Sequence, residues 1–300
     1  MNRLKTELCG VEFKNPVFAA SGTFGYGEEY SQYYDPSIVG GLCSKGLTLH
    51  PKSGNEGIRI WETPAGIMNS IGLENPGVKH FVEHELERMK SLGTKVIVNI
   101  GGNSIEEYIE GVEILNEYDF DILELNISCP NVKSGGMAFG IKCDTAEMVV
   151  SKIKPLTKHP LMVKLSPNAE NIVEMAKACE SAGADALSLV NTFQGMAIDV
   201  DTRKIVFENV YAGLSGPAIK PIALRMVHQV CKAVDIPVVG LGGIMNYKDA
   251  LEFIMAGATA VQIGTANFVN PNAIEEIIRD LDKYLLDNNI QSIAEIRGIL

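Results

Sequence analysis

The sequence has few features of a metal-binding protein. Its six cysteines form no Cys-x-x-Cys pair, and no histidine is spaced to complete a zinc site. We therefore interpret the cysteines as reduced thiols and predict no metal site. The chain also has no iron-sulfur cluster motif of its own.

Long apolar stretches and an excess of positive charge are also missing. No run of about 18 apolar residues occurs, and the opening MNRLKTELCG lacks the apolar core of a signal peptide. We therefore expect a cytoplasmic protein with no membrane span. The formal net charge of -11 disfavours nucleic acid as a partner, because phosphates are bound mainly through lysine and arginine.

The chain does contain eight β-rich runs, each followed by a polar or glycine turn: PVFAASG, VGGLCSKG, KVIVNIGG, DILELNIS, PLMVKLS, ALSLVNT, PVVGLGG and AVQIGT. Helix-period segments such as VKHFVEHELERMKSLG, NIVEMAKACESAGA and KDALEFIMAGA lie between most of them and suit crossover helices. This pattern predicts an α/β protein with one (β/α)8 TIM-barrel domain over residues 1–300. The early stretch TELCGVEF predicts a small hairpin that caps the barrel bottom.

Two segments interrupt this regular spacing. Residues 46–75 follow the second run and residues 192–216 follow the sixth, both without a clear helix. Long loops in compact domains are usually functional or disordered, and active sites of barrel enzymes lie at the strand ends from which these loops leave. We therefore interpret both segments as walls of a substrate pocket.

All eight runs end in polar residues or glycine: Ser21-Gly22, Lys45-Gly46, Asn99, Asn126 with Cys129, Lys164, Asn191-Thr192, Gly242-Gly243 and Gly264-Thr265. Each could be an ordinary turn residue. A lysine that closes an apolar run, however, needs an anionic partner or solvent. The glycine pairs after the seventh and eighth runs predict a phosphate site, because loops at these positions of barrels commonly bind phosphate through backbone N–H groups.

Nine motifs resemble the dihydroorotate dehydrogenases of pyrimidine synthesis: SGTFGYG, SKGLT, MNSIGLENPG, LNISCPNVKSGG, VKLSPN, VNTFQGMAID, GLSGPAIKP, GLGGI and QIGTA. They keep the family's order from about residue 4 to about residue 290. The stretch NTFQGMAID and Cys129 are most similar to class 1B catalytic subunits. The related membrane-associated class uses a serine base and an N-terminal extension, neither of which this sequence contains.

The resemblance implies oxidation of (S)-dihydroorotate to orotate on the route to UMP. This reaction removes a proton from C5 and a hydride from C6, and FMN would accept the hydride. Cys129 would be the base, which requires a thiolate although the usual thiol pKa is about 8.5. Free cysteines are more often small buried apolar residues. Pro130 and the following KSGGMAFG instead favour an irregular strand-end loop.

The resemblance also implies the remaining site residues. Substrate contacts would come from Lys45, Asn69, Ser70, Ile71, Gly72, Leu73, Asn126, Asn131, Asn191 and Thr192. FMN contacts would come from Ser21, Gly22, Lys45, Gly46, Asn99, Asn126, Lys164, Val190, Gly216, Gly242, Gly243, Gly264 and Thr265. Among these, Lys164 would lie beside the flavin N1/O2 edge and stabilise negative charge there.

The class 1B resemblance further implies a second subunit. That subunit would carry FAD and a [2Fe-2S] cluster and pass electrons to NAD, and two of the present chains would form a homodimer within a heterotetramer. The chain itself contains no Gly-x-Gly-x-x-Gly unit between a strand and a helix, which would offer a dinucleotide site.

Three alternatives remain open on the residues alone. One is another FMN barrel reductase, of the dihydropyrimidine or dihydrouridine type, although the acidic charge disfavours the tRNA-modifying member. The second is a barrel aldolase that forms a Schiff base on Lys164, which would leave Cys129 and the glycine pairs unexplained. The third is a non-catalytic binding barrel, against which Lys45, Cys129 and Lys164 all count.

Overall fold

The structure is a computed structural model that describes residues 3–127 and 140–300. Its strands are β1 Thr6–Leu8, β2 Val11–Phe13, β3 Val17–Ala19, β4 Gly41–Cys43, β5 Ile60–Thr63, β6 Gly66–Asn69, β7 Lys95–Ile100, β8 Ile122–Asn126, β9 Leu161–Lys164, β10 Ala186–Leu189, β11 Phe193–Met196, β12 Ile198–Asp199, β13 Lys204–Ile205, β14 Tyr211–Ser215, β15 Val238–Leu241 and β16 Ala260–Ile263. Its α-helices are α1 Val78–His84, α2 Leu86–Ser91, α3 Ile105–Leu115, α4 Cys143–Ile153, α5 Ile172–Ser181, α6 Lys220–Cys231, α7 Tyr247–Met255, α8 Ala266–Val269 and α9 Ala273–Asp287. Short 3-10 helices cover Glu28–Gln32, Pro36–Ile38, Pro217–Ile219 and Ile293–Ile296.

Eight of these strands close a parallel barrel. In chain order they are β3, β4, β7, β8, β9, β10, β15 and β16, each paired with the next, and β16 pairs with β3. They coincide with the eight β-rich runs, so the predicted (β/α)8 fold is confirmed. The runs are almost continuously apolar because helices cover their outer face while the barrel core covers their inner face.

Alternate residues of each barrel strand point in opposite directions. On β8, Leu123 and Leu125 pack in the core cluster that includes the outer helices, while Ile122 belongs to the cluster inside the barrel. The same alternation therefore turns Glu124 and Asn126 inward, above Ile122. The inner positions are apolar low in the barrel, and several of those closer to the carboxyl ends of the strands are polar.

The predicted hairpin is present and closes the lower end of the barrel. β1 and β2 pair antiparallel, and their buried residues Leu8 and Phe13 belong to the inner cluster. The ring of Phe13 lies 4.6 Å from that of Phe18 on β3, measured between centroids. Apolar side chains thus fill the barrel from below, which leaves the opposite end for polar chemistry.

Two of the crossover helices, α5 and α7, begin at asparagines that cap them. Asn171 accepts hydrogen bonds from the backbone N–H groups of Val173 and Glu174 at the start of α5. Asn246 and Asp249 form a reciprocal capping box at the start of α7. The segment VKHFVEHELERMKSLG, interpreted as one helix, forms the two consecutive helices α1 and α2.

The two segments without helical periodicity are not simple loops. Within residues 46–75, β5 and β6 form a hairpin, and within residues 192–216 lie β11 and β14. These strands pair with one another in the antiparallel order β11-β14-β6-β5. The loop interpretation fails because this sheet joins segments that lie far apart in the chain, a pairing that local sequence patterns do not reveal.

Across residues 3–127 and 140–300, no helix combines the length and the apolar character needed to cross a lipid bilayer.

Candidate functional site

The predicted site residues of the described chain lie at or just beyond the carboxyl ends of the barrel strands, or in the sheet and turns above them. Because all eight barrel strands are parallel, these ends meet at one face of the barrel. Residues that are distant in sequence, such as Ser21 and Thr265, therefore belong to a single rim. Two predicted residues, Cys129 and Asn131, lie outside the described residues.

Direct proximity is clearest around the ends of β3, β4 and β7. A Cβ atom added to Gly22 would lie 3.3 Å from the Lys45 Nζ atom. One added to Gly46 would lie 2.8 Å from Asn99 Oδ1 and 3.8 Å from Ser21 Oγ. The two glycines therefore leave open the space onto which these three polar side chains face.

A second group of predicted residues converges after β14, β15 and β16. A Cβ atom on Gly243 would lie 2.8 Å from the carbonyl oxygen of Gly216, and one on Gly216 would lie 3.5 Å from Thr265 Cγ2. Gly216, Gly242 and Gly243 all have positive φ angles, of 103°, 122° and 74°. Only glycine adopts such angles without strain, so the backbone itself lines this side of the rim.

The predicted substrate residues come from both the sheet and the barrel. Asn69 on β6 donates from Nδ2 to the carbonyl of Gly213 on β14, and a Cβ atom on Gly213 would clash with Thr192 Oγ1. Asn126 lies beside Lys164 in the register of β8 and β9. The sheet thus brings Asn69 near Thr192 although the two residues lie far apart in the chain.

In the turn at residues 70–73, Leu73 lies at the rim whereas the Ser70 hydroxyl bonds to residues outside it. The Leu73 side chain would lie 3.5 Å from a Cβ atom on Gly46, which places it at the first group of residues. The Ser70 hydroxyl instead accepts hydrogen bonds from Asn55 at 3.0 Å and Asn209 at 3.4 Å. Its described hydrogen bonds therefore stabilise the base of the turn and involve none of the other predicted site residues.

Lys45 is a half-buried cation in this rim. Among the described residues it forms no ion pair, and Glu74 is itself paired with Arg59 at 2.6 Å. Burial lowers the pKa of Lys45, the charge of Glu74 opposes this change, and the charge of Arg59 adds to it. The ammonium group is thus destabilised in the free protein, and an anionic ligand would compensate it.

Lys164 is the second cation, and its partner comes from the protein. Its Nζ atom lies 3.8 Å from Oε2 of Glu124, which is fully buried within β8. The sequence predicted that this lysine needs an anionic partner or solvent, and the structure supplies a carboxylate of the same barrel. The aldolase alternative loses support, because the amine that would form a Schiff base is ion-paired with this carboxylate.

Glu124 receives hydrogen bonds from several barrel strands. Oε1 accepts from Ser188 at 2.8 Å and Gln262 at 2.9 Å, while Oε2 accepts from Asn99 at 2.5 Å and Cys43 at 3.2 Å. Burial alone would raise the pKa of Glu124, but the charge of Lys164 and the bonds from Ser188, Gln262 and Asn99 lower it overall. Glu124 is therefore an anion held inside the barrel.

Sequence reasoning did not select Glu124, Ser188 or Gln262. A signal was present, since each is a polar residue in the middle of an otherwise apolar run: DILELNIS, ALSLVNT and AVQIGT. Uncompensated polar groups are costly inside a barrel, so three of them in separate strands suggest mutual contact. Which groups pair depends on barrel closure, because Gln262 and Glu124 are 138 residues apart.

The residues of the rim fit FMN on two observations. Asn99 Oδ1 is buried and has no hydrogen-bond partner among the described residues, and it faces the open side of Gly46. A ring N–H of a flavin would satisfy such an acceptor. The backbone around Gly216 and Gly243 leaves no room for a Cβ atom, as is usual where a backbone approaches a phosphate closely.

Comparisons with known proteins cover almost the whole chain. A family model described as dihydroorotate dehydrogenase matches residues 3–285. The protein named dihydroorotate dehydrogenase B (NAD(+)), catalytic subunit, of Petrotoga mobilis is 59% identical over 99% of both chains. Proteins with the same name from Brachyspira hyodysenteriae and Thermoanaerobacter pseudethanolicus are 53% and 52% identical, over 99% of this chain and 99% and 98% of theirs.

The glycine-lined side of the rim generates a stability prediction. Gly243→Ala should lower the free energy of unfolding by about 1–2 kcal/mol from left-handed backbone strain alone, because φ is 74° at this position. Contacts with Lys220 Cβ at 2.7 Å and the Gly216 carbonyl at 2.8 Å would add to this loss. Urea unfolding without added ligand measures the change.

Gly264→Ala is the matched control for this substitution. A Cβ atom at Gly264 would meet Ala20 and Thr23 at 3.7 Å, an ordinary contact distance, so its stability should change little. Equal stability of the two variants would contradict the steric account of the rim.

Proposed function

The chain belongs to the dihydroorotate dehydrogenase family, and on that premise we propose that it is the catalytic subunit of an NAD-linked enzyme that oxidises (S)-dihydroorotate to orotate in pyrimidine biosynthesis. The observation that carries this proposal is Lys45. It is a half-buried ammonium, without an ion-pair partner among the described residues, on a rim lined by Ser21, Gly46 and Asn99. Such a cation suits a small substrate with a carboxylate.

Substrate binding divides between the sheet and the barrel in this proposal. Lys45 and Asn69 bind the carboxylate, together with backbone N–H groups of Ile71, Gly72 and Leu73. Asn126, Asn131, Asn191 and Thr192 supply hydrogen-bond donors and acceptors to the ring. Amide side chains suit this task because each carries both a donor and an acceptor, as an imide edge requires.

The chemical step needs a base and a hydride acceptor on opposite sides of the substrate ring. Cys129 takes the proton from C5 as a thiolate, and bound FMN supplies the acceptor for the hydride that leaves C6. Lys164, which is ion-paired with Glu124, would contribute a positive charge to the flavin site. We propose that residues 1–300 act as a single FMN-binding unit.

Electrons then leave through a partner subunit that carries FAD and a [2Fe-2S] cluster. The name catalytic subunit, borne by the relatives, fits a complex of this kind. The chain lacks a Gly-x-Gly-x-x-Gly unit for a dinucleotide, so NAD would be reduced on the partner. Two chains related by a two-fold axis would form the core of the assembly.

The purified chain tests the division of labour between the two subunits. It should contain about one FMN per chain and reduce an artificial dye with dihydroorotate, but it should form NADH poorly until the partner is added. Flavin absorbance and steady-state NADH formation are the measurements. A flavin-free chain that ignores added FMN would refute the proposal, and NADH formation as fast as dye reduction would refute the partner.

Replacement of the base should separate binding from chemistry. Cys129→Ala should still bind dihydroorotate, yet its flavin should be reduced about 10²–10⁴-fold more slowly, the usual contribution of a positioned base. Cys129→Ser should retain a little activity that rises with pH. Stopped-flow absorbance measures the rates, with Cys143→Ala as the control at a cysteine outside the rim. A wild-type rate in Cys129→Ala would move the base elsewhere.

The lowered pKa of Lys45 generates a pH dependence. Only the ammonium form attracts a carboxylate, so orotate affinity should be full below the Lys45 pKa and should be lost as the pH rises through it. This loss should begin at a lower pH than for an ordinary lysine, because burial lowers the pKa. Titration of the flavin spectrum with orotate measures it.

Lys45→Met provides the control for this dependence. It should bind orotate weakly, and the ratio of its dissociation constant to that of the wild type should shrink as the pH rises. A constant ratio would show that Lys45 does not bind the carboxylate.

A further inference from the structure

The carboxylate of Glu124 is fully buried inside the barrel, and the proposed chemistry does not use it directly. We propose that Glu124 is a positioning residue, which holds the Lys164 ammonium and the Asn99 amide in fixed orientations beneath the rim. That this arrangement serves a flavin rests on the proposed function, whereas the contacts of Glu124 are observed independently of it.

The position of Glu124 argues against a purely structural role. The inner side chains below it are apolar and include Ile97, Ile122 and Met162, so this part of the barrel is filled without polar groups. A buried ion pair is often no more stable than well-packed apolar residues of similar volume. We therefore expect the Glu124 carboxylate to orient its neighbours and not to stabilise the fold.

Glu124 attracts the Lys164 ammonium without accepting a hydrogen bond from it. The Nζ–Oε2 distance of 3.8 Å allows strong attraction in a buried setting, yet among the described residues Nζ donates no hydrogen bond. The described residues thus leave the ammonium hydrogens available for a ligand. The carboxylate is instead saturated by neutral donors from β7, β10 and β16 and the thiol from β4.

Glu124 also determines which way the Asn99 amide points. Asn99 Nδ2 donates to Oε2 at 2.5 Å, so the amide oxygen is turned away from Glu124. That oxygen is the buried acceptor without a partner, and it faces the open side of Gly46. Glu124 therefore orients both the Lys164 ammonium and the Asn99 amide oxygen. Neither group has a hydrogen-bond partner among the described residues.

A double-mutant cycle on the chain without flavin tests the coupling. Glu124→Gln leaves a buried ammonium uncompensated, so the variant should unfold at lower urea concentration than the wild type. Glu124→Gln combined with Lys164→Met should unfold at higher urea concentration than Glu124→Gln alone. If the double variant is no more stable, including the case in which neither variant folds, Glu124 does not act through Lys164 and the proposal fails.

Asp185→Asn provides the matched control for the cycle. It removes the same charge from the Lys154–Asp185 pair, which precedes β10 at the opposite end of the barrel. Its effect should add to that of Lys164→Met, because the two sites share no contact.

A second measurement separates positioning from folding. Sulfite adds to bound flavin and forms an anion, so its affinity reports positive charge beside the ring. Within the described part of the chain, the titratable groups beside Lys164 are Glu124 on β8 and the Cys43 thiol on β4, while β10 contributes the neutral Ser188. Burial raises the pKa of Cys43 well above its usual value, so the thiol stays neutral and Lys164 is the charged group whose placement the substitution should change.

If Glu124 acts through Lys164, Glu124→Gln should change the sulfite dissociation constant severalfold in the wild-type background and leave it unchanged in the Lys164→Met background. Asp185→Asn should leave this constant unchanged in both backgrounds. An equal change in both backgrounds, or no change in either, would overturn the proposal, whereas a wild type that binds no FMN would refute only the proposed function, since the urea cycle needs no flavin.

Discussion

Closure of the parallel barrel is the constraint on which every other feature depends. Eight strands that run in one direction bring their carboxyl ends to one face, and the β1–β2 hairpin fills the other end with Leu8 and Phe13. The polar inner positions are thereby confined to the upper part of the barrel. A rim of glycine, asparagine and lysine follows from topology, although those residues are scattered over most of the chain.

Within that rim the two lysines lie in opposite electrostatic settings. Lys164 is buried beside a carboxylate that is itself stabilised by four donors, so its charge belongs to the folded protein. Lys45 lacks such a partner among the described residues, and burial lowers its pKa. One cation is thus paired within the protein, while the other lacks a partner among the described residues. In the proposed function the first is the cofactor-facing charge and the second is the substrate-binding one.

The antiparallel sheet adds what the barrel alone does not provide. Its strands β6 and β14 join the segments after the second and sixth barrel strands, and they bring Asn69 close to Thr192. The crowding between Gly213 and Thr192 and between Gly216 and Gly66 explains why these positions lack side chains. The proposed substrate contacts of Asn69 and Thr192 would therefore come from this sheet.

The sequence by itself determined the barrel, its eight strands, the lower hairpin and the family, because apolar periodicity and motif order are local and can be seen in a single chain. It also indicated Lys45, Asn99 and Lys164 as strand-end residues. Only the tertiary structure decided that Glu124 pairs with Lys164, that Asn99 Oδ1 is left without a described partner, and that residues 46–75 and 192–216 share a sheet. These contacts join strands that are far apart in the chain, and their partners are selected by closure and register, which no local pattern encodes.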